Sequence, residues 1–329
     1  MARPAGSTYI EALREALIEE MERDERVFLL GEDIAVYGGA FKLTDGLLAR
    51  FGDKRVLDTP IAEAGIIGAA IGAALMGLRP VVEMQFIDFI SCGFNMLTNF
   101  AARCHYRWGA EVPIVVRGPG GAGVGGGPFH SQSVEMFFIK TPGLKVVAPS
   151  TAADAKLLLK AAIRDPNPVL FIEHKALYRA PQLREALPGP EAVGELGKAA
   201  IRRAGDDLAI LTYGAMVHTS LEAAETLAKE GIEARVVDLR TLQPLDDAAV
   251  LAAVRECGKV LIVHEDTRTG GLAGELTSRI NEGAFEWLDG PILRVTAADT
   301  PVPYNKALER AFLPQLDDIV QTARRLAAY

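Results

Sequence analysis

The sequence of 329 residues is poor in cysteine, tryptophan and histidine, with 3, 2 and 5 of them. Cys92, Cys104 and Cys257 are odd in number, widely spaced and form no Cys-x-x-Cys pair. That excludes a disulfide framework and a thiolate metal site, and leaves them as expected buried thiols. The histidines are dispersed, with no His-Glu-x-x-His spacing of a zinc protease, so no metal cluster is expected from them. Positive charge is also short: 35 Lys+Arg stand against 43 Asp+Glu, a net charge of -8, with no basic run. Neither nucleic acid nor an anionic membrane is therefore expected as a partner. Long apolar runs are missing too. The most apolar stretch, Ala64 to Leu78, is rich in glycine, stops at Arg79 and falls short of the roughly 18 residues of a spanning helix. Residues Met1 to Gly6 carry neither the apolar core of a secretory signal nor the character of a transit peptide, which makes the cytoplasm the expected location.

Apolar residues make up 49% of the chain, enough for two cores at roughly 150 residues per domain. Glycine is plentiful, 32 in all, with a dense cluster from Gly118 to Gly127. Thr8 with Glu11 resembles a capping box ahead of an amphipathic helix. Strands are expected at 27–30, 81–86, 114–116, 144–148 and 169–172. Helices are expected at 62–77, at 90–106 and after Thr151, the last with an apolar stripe at Ala155, Leu158, Leu159, Ala162 and Ile163. Residues 181–200 hold prolines and glycines without periodicity and read as a linker. Alternation then resumes, with strands at 208–212, 234–239, 260–263 and 292–295 separated by helices at 220–229, 246–256 and 272–282. This pattern implies an α/β fold of two open, mainly parallel sheets, a first domain over 1–180 and a second over 201–329. A single (β/α) barrel is the competing architecture.

The chemistry centres on two residues. Glu63 opens a helix otherwise made of Ile, Ala, Gly and Leu, a setting where burial would raise a carboxyl pKa; the plain reading is a first-turn glutamate favoured by the helix dipole. Gly65, Gly68 and Gly72 repeat along the same helix and would allow close helix packing at a subunit contact. His130 follows the glycine loop, so a flexible backbone delivers an imidazole beside Ser131 and Gln132. His105, His174 and His218 read as structural or solvent-facing. His264, at a strand end, is a weaker candidate. The loop also contains a literal Gly-x-Gly-x-x-Gly, Gly118 to Gly123, which taken alone suggests a dinucleotide site. Pro119 inside it, further glycines instead of a helix, and no acidic residue on the next strand weaken that reading. No Gly-Asp-Gly followed by a distant Asn and no Walker lysine is present to hold a diphosphate.

Six segments carry a family resemblance: Asp58-Thr59-Pro60-Ile61-Ala62-Glu63, Gln85-Phe86-Ile87-Asp88-Phe89, His130-Ser131-Gln132, Pro142 to Val147, Asp238-Leu239-Arg240-Thr241 and Thr269-Gly270-Gly271. In order and spacing the chain resembles the beta subunit of the thiamine-diphosphate-dependent decarboxylase of 2-oxo acid dehydrogenase complexes. The resemblance implies a pyrimidine-binding domain followed by a transketolase-type carboxy-terminal domain, assembled with alpha subunits as an α2β2 heterotetramer. It implies that the alpha subunit holds Mg2+ and the diphosphate, and that this chain supplies the aminopyrimidine site. Glu63 would hydrogen-bond the pyrimidine N1′ and favour the imino tautomer that removes the thiazolium C2 proton. Ile61, Gln85 and Phe89 would touch the ring; many relatives carry tyrosine at the last position. His130 would serve the reacting 2-oxo acid or the lipoyl group that receives the acyl unit on a dihydrolipoyl acyltransferase core. Positions Ile114, Val115, Ala162, Asp165 and Asn167 match a structural potassium site of the family. The acidic carboxy-terminal domain could dock a basic segment of that core. Substrate choice among pyruvate, branched-chain 2-oxo acids and acetoin stays open. A nicotinamide dehydrogenase using the glycine loop and a purely scaffolding subunit are the other functional classes.

Overall fold

The computed structural model describes residues 6–329. Residues 1–5, on which the reading of the amino terminus rests, lie outside the described residues. The chain forms two compact units. One comprises the residues up to Gly120 together with Phe137–Leu196; the other comprises Gly121–Met136 together with Gly197–Tyr329. The glycine loop and His130 thus group with the second unit.

The first unit opens with α1 (Tyr9–Arg23), whose capping box is formed as expected by Thr8 and Glu11. There follow β1 (Val27–Gly31), α2 (Leu47–Phe51), β2 (Val56–Asp58), α3 (Glu63–Leu75), β3 (Arg79–Glu83), α4 (Ala102–Trp108), β4 (Val115–Gly120), α5 (Glu135–Ile139), β5 (Lys145–Val147), α6 (Ala152–Arg164) and β6 (Val169–His174). The unit's own six strands lie in the order β5-β6-β4-β3-β1-β2, all parallel. Their near-continuous apolar character follows from burial on both faces. The expected stripe of α6 is buried throughout. Beside it, Lys156 and Lys160 are also buried, their ammonium groups held by Glu15 and Glu19 of α1. The helix expected over 90–106 is instead broken into a 3-10 turn at Ile87–Gly93, a π-helical stretch at Met96–Ala101 and α4. Thr98 contributes to this. Its hydroxyl donates to the Phe94 carbonyl at 2.8 Å and competes with the regular ladder.

The second unit holds β7 (Ala200–Arg203), β8 (Leu208–Thr212), α7 (Met216–Ala228), β9 (Ala234–Asp238), a short β10 (Thr241–Gln243), α8 (Asp247–Cys257), β11 (Val260–Thr267), α9 (Leu272–Ala284), β12 (Leu293–Ala297), α10 (Lys306–Phe312) and α11 (Leu316–Ala327). Its five-stranded sheet runs β12-β11-β8-β9-β7, parallel except for the edge strand β7, which is antiparallel to β9. Two separate open sheets replace the barrel alternative. Helices α10 and α11 were not anticipated. Yet α11 carries a capping box at Gln315 and Asp318 and buries Ile319, Val320, Ala323 and Leu326 on one face against the core. Among the described residues no helix is long and apolar enough to cross a membrane. Cys104 and Cys257 are buried as expected; Cys92 is exposed, because the turn at Ile87–Gly93 carries it outward.

Candidate active site

Parallel strands bring all their carboxyl ends to one edge, which is where open α/β sheets take ligands. In the first unit Gly31 is in register with both Asp58 and Glu83, so that edge gathers acids: Glu32 just after β1, Asp58 ending β2, Glu63 opening α3 and Glu83 ending β3. Asp58 shapes the chain after β1, accepting the Ala35 N–H at 2.7 Å and the Val36 N–H at 3.2 Å. Burial pushes the Glu32 carboxyl above the usual range, and the Glu63 and Asp33 carboxylates push the same way. Glu32 therefore senses the charge of Glu63. Glu63 is half-buried in this single chain instead of enclosed in a dry pocket. Pro60, Ile61 and Ala62 before it are exposed, Ile61 by 82%. Close by in sequence, the buried Thr59 hydroxyl oxygen has no hydrogen-bond partner.

Gln85 leaves the end of β3 half-buried, and Phe89 sits in the turn that follows. The Phe86 ring meets Phe89 edge-on at 6.2 Å and Phe41 at 5.7 Å. This turn lies against the start of α3 because residue 93 is glycine. A Cβ there would overlap Ile67 and stand 3.6 Å from the Glu63 carbonyl oxygen. Glu63, with Ile61 just ahead of it, and the turn that carries Phe89 just after Gln85 are thus brought to the same edge.

In the second unit the glycine loop leaves β4 and folds on itself. Gly121, Gly123, Gly125 and Gly127 all have left-handed backbones, with φ of 76°, 91°, 76° and 66°. At Gly127 no side chain could be accommodated, because a Cβ would overlap the Tyr304 ring. Gly118 and Gly120 lie inside β4 and not in a phosphate-cradling turn. The Ala122 N–H donates to Glu265 at 3.1 Å, and the Gly123 N–H donates to Glu309 at 2.8 Å. Amides that could have received a dinucleotide phosphate already carry carboxylates. His130 is half-buried at the end of this loop, its N–H directed at the Gly127 carbonyl (3.4 Å). Ser131 is buried beside it, and Gln132 Nε2 donates to the Pro128 carbonyl at 2.9 Å. After the loop, burial and then Asp266 push the Glu135 carboxyl up to about 8, and Tyr213 donates its hydroxyl proton to Glu135 at 2.6 Å. His264 is fully buried, held neutral down to about 4 by burial, and its Nε2 accepts the Ala273 N–H at 3.3 Å. Buried in the core with its Nδ1 unpartnered, His264 lacks the exposure a catalytic base needs.

The transketolase pyrimidine-binding domain family matches residues 5–181, and the transketolase C-terminal domain family matches residues 197–319. The chain is 49% identical to the 2-oxoisovalerate dehydrogenase subunit beta of Bacillus subtilis, over 98% of this chain and 99% of the relative. To the pyruvate dehydrogenase E1 component subunit beta of the same organism it is 45% identical, over 99% and 100%. The chain belongs to the family of 2-oxo acid dehydrogenase E1 beta subunits. A split-gene transketolase, an inactive beta4 tetramer, shares the fold with a TM-score of 0.79 at 23% identity, covering 98% of this chain and 99% of that one.

As an E1 beta chain, it has an edge whose residues fit the aminopyrimidine of thiamine diphosphate. A carboxyl at a helix start, an unpartnered buried hydroxyl and an edge-on aromatic turn match a flat, polar-rimmed ring. Behind that edge the E1 beta fold holds a charged cluster that sequence reasoning missed. Arg117, only 2% exposed, is paired with Glu83 and with Glu173; its Nη2 donates to Glu173 at 2.6 Å, and Tyr178 donates to the same carboxylate. Burial opposes the charge on Arg117, but Glu173 and Glu83 outweigh it and hold the guanidinium ionised. The signal was present: Glu83, Arg117 and Glu173 each follow directly on an apolar strand run, Val81-Val82, Val115-Val116 and Val169 to Ile172. The residues matched to a potassium site lie at another corner. The Ile114 carbonyl accepts the Val169 N–H at 2.9 Å, and the Ala162 carbonyl accepts the Asp165 N–H at 3.3 Å. The Asp165 carboxylate is engaged by Lys145 and Asn167, and Arg79 donates to the carbonyls of Ile163 and Asp165. Val115 contributes only strand backbone to this set.

Proposed function

We propose that this chain supplies the aminopyrimidine half of a thiamine diphosphate site and, with an alpha subunit that holds Mg2+ and the diphosphate, decarboxylates a pyruvate-type or branched-chain 2-oxo acid and passes the acyl group to lipoamide. The observation that carries the reading is the position of Glu63: a half-buried carboxyl at the first turn of α3, near enough to Glu32 to help raise its carboxyl, in a chain similar over 98% of its length to an E1 beta-type subunit. Bound thiamine diphosphate supplies a nucleophilic carbon and an electron sink for the electron pair released with carbon dioxide. Glu63 holds a proton at the pyrimidine N1′ and so sets the basicity of the 4′-nitrogen. Gln85 and Phe89 orient the ring, and the exposed Ile61 covers it from the strand-to-helix corner. His130 donates to the lipoyl sulfur that is released as the other takes up the acyl unit. The exposed surface around Ile61 supports a partner that completes the pocket, consistent with an α2β2 heterotetramer. A potassium ion at Ile114, Val115, Ala162, Asp165 and Asn167 would be held mainly by backbone oxygens, in competition with Lys145 and Arg79, and has no part in bond breaking. The net charge of -8 favours docking to a basic segment of an acyltransferase core.

The test is a reconstituted heterotetramer assayed with pyruvate, 2-oxoisovalerate and acetoin. Glu63→Ala should abolish turnover of a 2-oxo acid, and near-normal rates would sink the assignment. His130→Ala should retain thiamine diphosphate affinity but lose acyl transfer to lipoamide; unimpaired acylation would remove His130 from the mechanism.

A further inference from the structure

Gly121, Gly123, Gly125 and Gly127 take left-handed φ values, and Gly126 between the last two is right-handed at -75°. Alternation of hand turns successive backbone N–H groups toward one side and forms a concave anion receptor. In this protein the anion is internal. Glu309, in the first turn of α10 and 4% exposed, accepts the Gly123 N–H at 2.8 Å and the Gly125 N–H at 3.1 Å through Oε1, and the Gly125 N–H at 3.0 Å through Oε2. Further ties flank it: Glu265 on Ala122 and the Tyr304 ring against Gly127. The far end of the loop closes back through His130 N–H to the Gly127 carbonyl and through Gln132 Nε2 to the Pro128 carbonyl. A segment this rich in glycine loses much chain entropy on ordering, so it holds one conformation only if its ties are strong. Hydrogen bonds to a carboxylate are roughly twice as strong as neutral ones.

We propose that Glu309 is a positioning residue for His130, whose carboxylate fills the amide receptor of the glycine loop and thereby fixes where the imidazole is presented. The proposal rests on the assignment of His130 to acyl transfer. Two readouts keep the two ideas separable. In the reconstituted heterotetramer, Glu309→Ala should speed deuterium exchange of the amides at 121–127 by about tenfold or more, the factor for losing one hydrogen bond to a charged acceptor. The same variant should slow lipoamide acylation by about tenfold, while thiamine diphosphate affinity and decarboxylation measured with an artificial electron acceptor stay within about twofold. Glu309→Gln, whose amide oxygen can keep the Oε1 bonds, should recover most of the acylation rate. If Glu309→Ala does not assemble, Gly125→Ala, strained at φ 76°, should produce the same split with the acid intact. Unchanged exchange at 121–127 overturns the proposal, as does an equal loss of decarboxylation and acylation. Should His130→Ala leave acylation intact, the imidazole assignment fails, and the exchange measurement still decides whether Glu309 holds the loop.

Discussion

Replacement of Arg117 by methionine isolates the energetics of the buried cluster behind the candidate site. In the native chain a guanidinium 2% exposed neutralises Glu83 and Glu173, the latter with no exposure at all. Even with Arg117 in place, burial pushes the Glu83 carboxyl above the usual range. Without it, two carboxyls share an apolar interior with no countercharge, and removal of one partner from such a buried pair costs about 3–5 kcal/mol. For a domain of this size that corresponds to a fall in Tm of roughly 6–20 °C. The sign with pH follows from linkage. Both carboxyls would have folded pKa values raised above the unfolded ones, so their contribution is retained in acid and lost as pH rises through the folded values. The deficit of Arg117→Met should be small near pH 5 and fully developed at pH 7.5. Denaturant and thermal unfolding followed by circular dichroism at both pH values would measure it. Adding Glu83→Gln and Glu173→Gln to Arg117→Met should return at least half of the loss, since neutral partners remove the stranded charge. A deficit below about 1 kcal/mol, or one that is equal at the two pH values, would refute the argument.

Two further outcomes are expected. Glu135 has a folded pKa raised to about 8, so its contribution to stability is full below the unfolded value and lost as pH rises through 8. Glu135→Gln should flatten the fall in stability between about pH 5 and pH 8, which in the native chain can reach about 1.4 kcal/mol per pH unit; an unchanged slope would show that this carboxyl is not its source. Gly127→Ala should cost about 1–3 kcal/mol from the left-handed backbone and the overlap with Tyr304. Pairing it with Tyr304→Ala should recover the steric share, and a strictly additive double variant would contradict that contact.

The regular parts of the fold were legible because their physics is local. The capping box at Thr8 and Glu11, the stripe of α6 and the apolar strands all announce themselves within a few residues. What was not legible depends on distant partners. Gly93 matters only because Ile67 of α3 lies over it. Lys156 and Lys160 look like solvent-facing residues until α1 supplies Glu15 and Glu19. Helix α11 was a missed opportunity, since its capping residues and apolar face are local signals. At the candidate site, Glu63 was conspicuous as the lone acid in an apolar helix. Glu32, Arg117 and Glu309 were not, because each takes its meaning from a residue many positions away.

The second unit is built from two stretches of chain, and the shorter one, Gly121–Met136, is borrowed from the middle of the first half. A gene cut at the segment before Gly197 would therefore not yield two self-sufficient pieces. The carboxy-terminal piece would lose the amides whose N–H groups Glu265 and Glu309 accept and the carboxyl that receives the Tyr213 proton, so three buried polar groups would lose these hydrogen bonds. The family boundary between residues 181 and 197 is therefore not the boundary of the compact units, because the segment that carries His130 groups with the second.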